Sequence, residues 1–291
     1  MTENEFILYD RIDKIQQIMT REHSKWNFYI AFSGGKDSCV LDALIDMAIP
    51  DNELWRVYVD TGIDYNDMRE FVYNKAKTDE RVQIIKPQVP IKQTLDTYGY
   101  PFKSKRHSRM VEQYQRSGVV NQGIQNYIDK SDHAFGCPKK LAYQFTEDTP
   151  SFPISKKCCE YMKEKPMEEF ARQHHLQYCV LGITQDEGDT RKDAQCLSFR
   201  NGRLKNFQPL APVSKEWEDW FIEEFNIPMC KLYYPPFNFK RTGCKGCPFA
   251  LELQRQLDLM EHYMPNERAQ CERIWKPVYD EYRRLNYRLK R

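Results

Sequence analysis

Six contiguous residues, Ser33-Gly34-Gly35-Lys36-Asp37-Ser38, bring together the groups that hold an anion by its oxygens. Two glycines let the backbone turn tightly and aim N–H groups at a phosphate. A helix beginning near Asp37 adds unpaired N–H groups and the positive end of its dipole. Ser33 and Ser38 add hydroxyls, and Lys36 adds a mobile positive charge. A plain strand-to-helix turn is the structural alternative, but these residues together suit a phosphate or pyrophosphate. The spacing is neither GxxxxGK[ST] nor GxGxxG. Four of the ten cysteines form a second group. Cys158 and Cys159 are adjacent, and Cys244 and Cys247 form a CxxC on the glycine-rich turn GCKGC, with 84 residues between Cys159 and Cys244. Neighbouring side chains diverge, so an adjacent pair serves one small tetrahedral ion poorly. A cubane takes a different iron corner from each, which favours a [4Fe–4S] cluster over Zn²⁺. Four buried, idle thiols are the alternative.

The elements around these groups alternate. NFYIAF (27–32) reads as a buried strand, and the glycine loop and helix-like CVLDALIDMA follow it. LWRVYVD (54–60), VQIIKP (82–87) and QYCVLGI (177–183) read as further strands, with helix-like NDMREFVYNKAK and PMEEFARQHH between them. Such alternation argues for an α/β fold with a parallel sheet. Asp60-Thr61-Gly62 ends the second strand, where such sheets bind ligands; a capping or turn role for Asp60 is the alternative. Residues 103–130 read as helical and 131–157 as irregular, a long excursion of the kind that carries function. The expected division is 1–205, a core with an insertion at about 103–157, and 206–291, a mostly helical C-terminal lobe with the CxxC.

Composition narrows the classes. The 291 residues carry 44 Lys+Arg against 42 Asp+Glu, a formal charge of +2, so bulk charge does not argue for nucleic acid. No stretch is long and apolar enough for a membrane span, and the N-terminus lacks a signal-peptide pattern, so a cytoplasmic chain is expected. In a reducing compartment ten cysteines point to metal, catalysis or burial rather than disulfides.

The loop is similar to the SGGxDS signature of the PP-loop ATP pyrophosphatases, or adenine nucleotide alpha-hydrolases. That resemblance implies a Rossmann-like five-stranded parallel sheet sandwiched by helices. It also implies ATP cleaved between its α- and β-phosphates, usually with Mg²⁺. Pyrophosphate would sit on Ser33, Gly34, Gly35, Lys36, Asp37 and Ser38, with Lys36 and Asp37 catalytic, and the nucleotide would meet Asp60, Thr61 and Gly62.

The cysteines, with Lys156-Lys157 before them, Lys165-Pro166 after them and PLAPVSKEWEDW (209–220) leading to GCKGCPF, carry a narrower resemblance. They resemble the phosphoadenosine phosphosulfate (PAPS) and adenosine phosphosulfate (APS) reductase family, over roughly residues 25–250. In that family's APS-reducing members, residues at the positions of Cys158, Cys159, Cys244 and Cys247 hold a [4Fe–4S] cluster. A substrate-binding arginine in a comparable loop makes Arg191 the third catalytic candidate. Two departures stand out. The reductases' nucleophilic cysteine sits in an ECG-type tail, which is missing here; Cys271 is the only cysteine beyond the CxxC and reads as idle. The reductases often lose part of the phosphate loop, whereas this chain keeps all of it. Enzymes of DNA phosphorothioation and tRNA thiolation, which combine loop and cluster, are therefore the nearer models.

The resulting expectation is an ATP pyrophosphatase that adenylates a substrate for sulfur transfer. A sulfonucleotide reductase acting on APS or PAPS is one alternative. A non-catalytic nucleotide and cluster sensor is another. Compatible partners are a sulfur donor such as a cysteine desulfurase and a nucleic acid, the latter through the basic cluster Lys103, Lys105, Arg106, His107, Arg109 or the C-terminal YRRLNYRLKR. The oligomeric state stays open. Asp186, Glu187 and Asp189 read as a solvated loop before a Mg²⁺ site. Cys137 is a weak candidate for a sulfur-carrying thiol, and Cys39, Cys179, Cys196 and Cys230 read as core.

Overall fold

In a computed structural model of the chain, the described residues are all but 22–26, 132–135, 186–194, 201–202 and 291. In chain order the elements are α1 (Glu3–Arg21), β1 (Phe28–Ala31), α2 (Lys36–Ala48), β2 (Arg56–Val59), α3 (Asn66–Thr78) and β3 (Val82–Ile85). The excursion follows with α4 (Ile91–Tyr98), α5 (Lys105–Ser117), α6 (Gln122–Asp129) and α7 (Lys157–Cys159), then a π-helical turn at Glu160–Glu164. Next come α8 (Lys165–Gln173), β4 (Tyr178–Val180), β5 (Leu197–Arg200), β6 (Arg203–Phe207) and α9 (Lys215–Glu224). The chain closes with α10 (Leu253–Tyr263), α11 (Pro265–Ile274) and α12 (Lys276–Leu285). No helix among the described residues is long and apolar enough to cross a membrane.

The six strands form one sheet in the order β3-β2-β1-β4-β6-β5. Five are parallel, as expected, and β5 adds an antiparallel edge paired to β6. Alternate side chains of β1 face opposite ways, as a pleated strand requires. Phe28 and Ile30 join the core of α1, α2 and α9, through residues such as Ile15, Leu41, Leu44, Trp217 and Phe221. Tyr29 joins Val57 and Phe170 of α8 on the other face. From β1 the chain steps one way to β2 and β3, and later returns on the other side with β4. β1 therefore stands at the point where strand order reverses, and the loop that leaves its carboxyl end is where such sheets take ligands.

Contacts divide the chain differently from the expected boundary at residue 205. One unit comprises 1–60, 66–86 and 166–242, with the whole sheet and α9. The other comprises 61–65, 87–165 and 243–291, so the excursion and the C-terminal helices share a unit. Residues 206–242 thus pack with the sheet, because β6 is a sheet strand and the apolar face of α9 covers α2. In the second unit, Ser104 caps α5 by accepting the His107 N–H, and Gly118 ends it in a left-handed conformation.

Candidate functional site

The first unit builds the loop as follows. α2 starts at Lys36 with Gly35 as its N-cap, and no side chain caps it. Gly35 has no side chain to cap the helix, but two N–H groups at its start are taken up, that of Gly35 by Ser33 Oγ at 3.2 Å and that of Lys36 by Tyr233. Gly34 has φ +71°, and a Cβ there would come within 2.6 Å of Met68 Sδ and 2.7 Å of Val72 Cγ2 on α3. Gly182, just after β4, is equally constrained, since its Cβ would stand 2.6 Å from the Asp37 carbonyl oxygen. Ser38 Oγ accepts the Ser33 N–H at 3.2 Å and donates to the Gly35 carbonyl at 2.8 Å. The Lys36 N–H donates to Tyr233 Oη at 3.0 Å, and Tyr233 Oη shares a 2.7 Å hydrogen bond with Thr242.

The charged side chains of the loop are held by α9. Lys36 pairs with Asp219. Asp37 Oδ1 accepts from Lys215 Nζ at 2.7 Å, and the same ammonium donates to Glu218 Oε2 at 2.7 Å. Glu218 is fully buried, and its other oxygen, Oε1, has no hydrogen-bond partner among the described residues. Burial foremost, then the nearby Asp37, push its carboxyl up to about 7 against the pull of Lys215 and Lys36. Behind the loop, Arg56 of β2 is fully buried and donates to Asp42 at 2.6 Å and Asp46 at 2.5 Å on α2. Asp60 accepts both Nε and Nη2 of Arg69, at 3.0 and 2.8 Å, and the Tyr73 hydroxyl at 2.8 Å. Its carboxylate is thus committed to α3.

The second unit contains the cysteine quartet. Cys158 is buried, and Cys159, Cys244 and Cys247 are part-exposed. The CxxC turn is fixed by the C-terminal helices. Trp275 Nε1 donates to the Lys245 carbonyl at 3.1 Å, the Tyr279 hydroxyl to that of Gly246, and the Tyr282 hydroxyl to that of Pro248 at 2.9 Å. Gly246 is left-handed, φ +62°, and a Cβ there would press on Cys271 Sγ at 2.7 Å. Lys245 is buried and paired with Glu267 at 3.0 Å. The segment 61–65 joins this turn: the Lys245 N–H donates to the Ile63 carbonyl at 2.8 Å, and Asp64 bridges Cys244. Thr61, whose N–H and hydroxyl donate to Asp64 at 3.0 and 2.7 Å, is within hydrogen-bonding reach of the Cys244 thiol. Thr61 and Gly62 thus lie in the unit of the quartet, and Asp60 in that of the loop.

Burial raises Cys244 to about 11 and lifts Cys158 and Cys247 further, and the three act on one another electrostatically. Lys163, on the π-helical turn after Cys159, faces the quartet. Its ammonium is strengthened first by Cys244, then by Asp64, Cys159 and Cys247, although burial opposes this. Among the described residues, no three His, Cys, Asp or Glu side chains converge as a single bound ion demands. The four cysteines thus lie in one unit with Lys163 beside them.

Residues 108–250 match the family model described as the phosphoadenosine phosphosulfate reductase domain. The chain carries a phosphoadenosine phosphosulfate reductase family domain. This domain includes all four cysteines of the quartet, Lys163 and α9, and begins after the loop at 33–38. An uncharacterized protein of Methanocaldococcus jannaschii is 23% identical over 258 residues, covering 84% of this chain. The chain spans 49% of that relative's length. Solved structures with similar folds include a PAPS reductase from Candida auris in a phosphate complex, at TM-score 0.47 and 12% identity, covering 84% of this chain and 96% of that one. They also include the U34-tRNA thiolase NcsA from Methanococcus maripaludis with its [4Fe-4S] cluster, at TM-score 0.43 and 14% identity, covering 97% and 80%.

The family domain also contains Arg191, Asp186, Glu187 and Asp189, which lie outside the described residues. Residues not foreseen from sequence are Lys163, Lys215, Glu218, Asp219 and Tyr233. Lys163 stands four residues after Cys159 on a helical turn, a spacing that returns it to the same face. Cys137 and Cys271 are fully buried, and burial raises their thiols to about 11 and about 12. Cys39 and Cys230 are buried, while Cys179 and Cys196 are half-buried. His107 is buried between Tyr127 and Gln144, and burial lowers its pKa to about 3, so it adds no charge to the basic cluster.

Proposed function

We propose that the chain binds ATP through the loop at 33–38 and cleaves it between the α- and β-phosphates, activating an acceptor for sulfur transfer. The observation that supports this reading is the complete loop, with two serines, a helix start that its N-cap Gly35 leaves without a side-chain cap, and a Gly34 at positive φ where a side chain would be strained. In this mechanism an acceptor oxygen attacks the α-phosphate and pyrophosphate leaves. Backbone N–H groups at 35–38, the Ser33 and Ser38 hydroxyls and Lys36 stabilise the charge growing on the leaving group. Asp37 positions the start of α2 through Lys215. Mg²⁺ would neutralise further phosphate charge.

Cys158, Cys159, Cys244 and Cys247 are the residues that would hold a [4Fe–4S] cluster. Such a cluster supplies, when bound, an iron site able to carry or deliver sulfur. Thr61 and Lys163 then act on the thiolates, Thr61 by hydrogen bonding and Lys163 by charge. A sulfur donor, such as a cysteine desulfurase, and a nucleic-acid acceptor complete this reading.

The family domain favours a second reading, reduction of a sulfonucleotide to sulfite. That reaction needs a nucleophilic thiolate. Cys137 and Cys271 are buried with raised thiol pKa values, the opposite of an activated cysteine. This chemistry ranks the ATP reading first. Anaerobic protein incubated separately with ATP, APS and PAPS tests it. Pyrophosphate from ATP, with no sulfite from the sulfonucleotides, is the expected result; sulfite without pyrophosphate reverses the order.

A further inference from the structure

Glu218 is unusual among the carboxylates around the loop. It is fully buried, its Oε1 meets no donor among the described residues, and its Oε2 shares one ammonium with Asp37, each at 2.7 Å from Lys215 Nζ. A buried carboxylate normally has all its lone pairs occupied, and an unmatched oxygen is costly. Asp37 lies in the first turn of α2, beside the loop, so Glu218 and the loop share one counter-ion.

We propose that Lys215 and Glu218 are positioning residues of the phosphate loop: Lys215 anchors Asp37, and the charge on Glu218 sets how strongly the loop holds an anion. The inference rests on the reading of 33–38 as a phosphate site. The charged groups acting on Glu218 are Asp37 and Lys36 from α2 and Lys215 from its own helix, with Lys36 itself tied to Asp219. With Glu218 protonated, Asp37, Lys215 and Glu218 sum to no net charge. With it ionised they carry one negative charge beneath an anion site. Burial without a donor for Oε1, with Asp37 on the same ammonium, raises this carboxyl toward neutrality, so anion affinity should fall as pH rises and Glu218 ionises.

The test is calorimetric binding of inorganic pyrophosphate to the full chain and to Glu218→Gln at pH 6 and pH 8. The ligand's own ionisation is common to both proteins and cancels in their ratio. Equal affinities are expected at pH 6, with Glu218→Gln binding about fivefold more tightly at pH 8. A ratio that does not change with pH overturns the role of Glu218 while leaving the loop an anion site. Pyrophosphate binding to neither protein at either pH overturns the loop reading itself. Sulfate, whose charge is constant over this range, gives a check that needs no variant. It should bind the unaltered chain several-fold more weakly at pH 8 than at pH 6, and a flat profile contradicts the proposal. Lys215→Ala should weaken pyrophosphate binding at both pH values, and Lys215→Arg should restore it; equal binding by all three removes Lys215 from the account.

Discussion

The glycine loop and the cysteine quartet each collect charge, and they compensate it differently. Six consecutive residues make the loop, and the groups that neutralise its side chains lie on α9, far along the chain: Lys215 against Asp37, and Asp219 against Lys36. The quartet is assembled from two distant segments, yet its compensating cation, Lys163, lies four residues from Cys159. The loop depends on backbone conformation, with a left-handed Gly34 and an uncapped helix start. The quartet depends on Trp275 and two tyrosines of α12, which donate to three carbonyls of its turn. The contiguous loop draws its counter-charges from a distant helix, whereas the discontinuous quartet has Lys163 close by in sequence.

The largest expected effect separates the two regions. Cys244→Ser should reduce iron in anaerobically purified protein to background while pyrophosphate binding persists. Stoichiometric zinc and no iron in the unaltered chain would defeat the cluster assignment. Next, Asp37→Ala should lower pyrophosphate release from ATP by at least about 100-fold, with iron content unchanged. Unchanged release would remove Asp37 from the chemistry. Arg56→Met removes the buried cation that two α2 carboxylates share, so denaturant unfolding should show a loss of about 3 kcal/mol. A loss below about 1 kcal/mol would mean that water already screens that network. Smallest is Gly34→Ala. It forces a methyl toward Met68 and Val72 at positive φ and should cost about 2 kcal/mol. Unaltered stability would show that the loop relaxes freely.

Much of this was legible in the residues. β1, β2, β3 and β4 fall inside the four apolar runs, because parallel strands buried on both faces read as continuous apolar sequence. The loop is visible because its chemistry is contiguous. β5 and β6 escaped, although Asn201-Gly202 stands between two strand-like runs, a strong hairpin signal. α4 was missed because eight residues give too little periodicity to register. The division at residue 205 missed that β6 must pair with β4, a long-range choice that composition does not encode. Lys215 and Glu218 were invisible for the same reason. A charged residue on a helix reads as solvated until the fold shows that Glu218 is buried.

The account stands on the loop at 33–38 gripping two linked phosphoryl groups. A crystal of the anaerobic protein soaked with a non-hydrolysable ATP analogue tests this most directly. The β- and γ-phosphates should lie against the N–H groups of residues 35–38 with Lys36 turned toward them. An analogue bound elsewhere, with the Lys36–Asp219 and Lys215–Asp37 pairs intact, would contradict it.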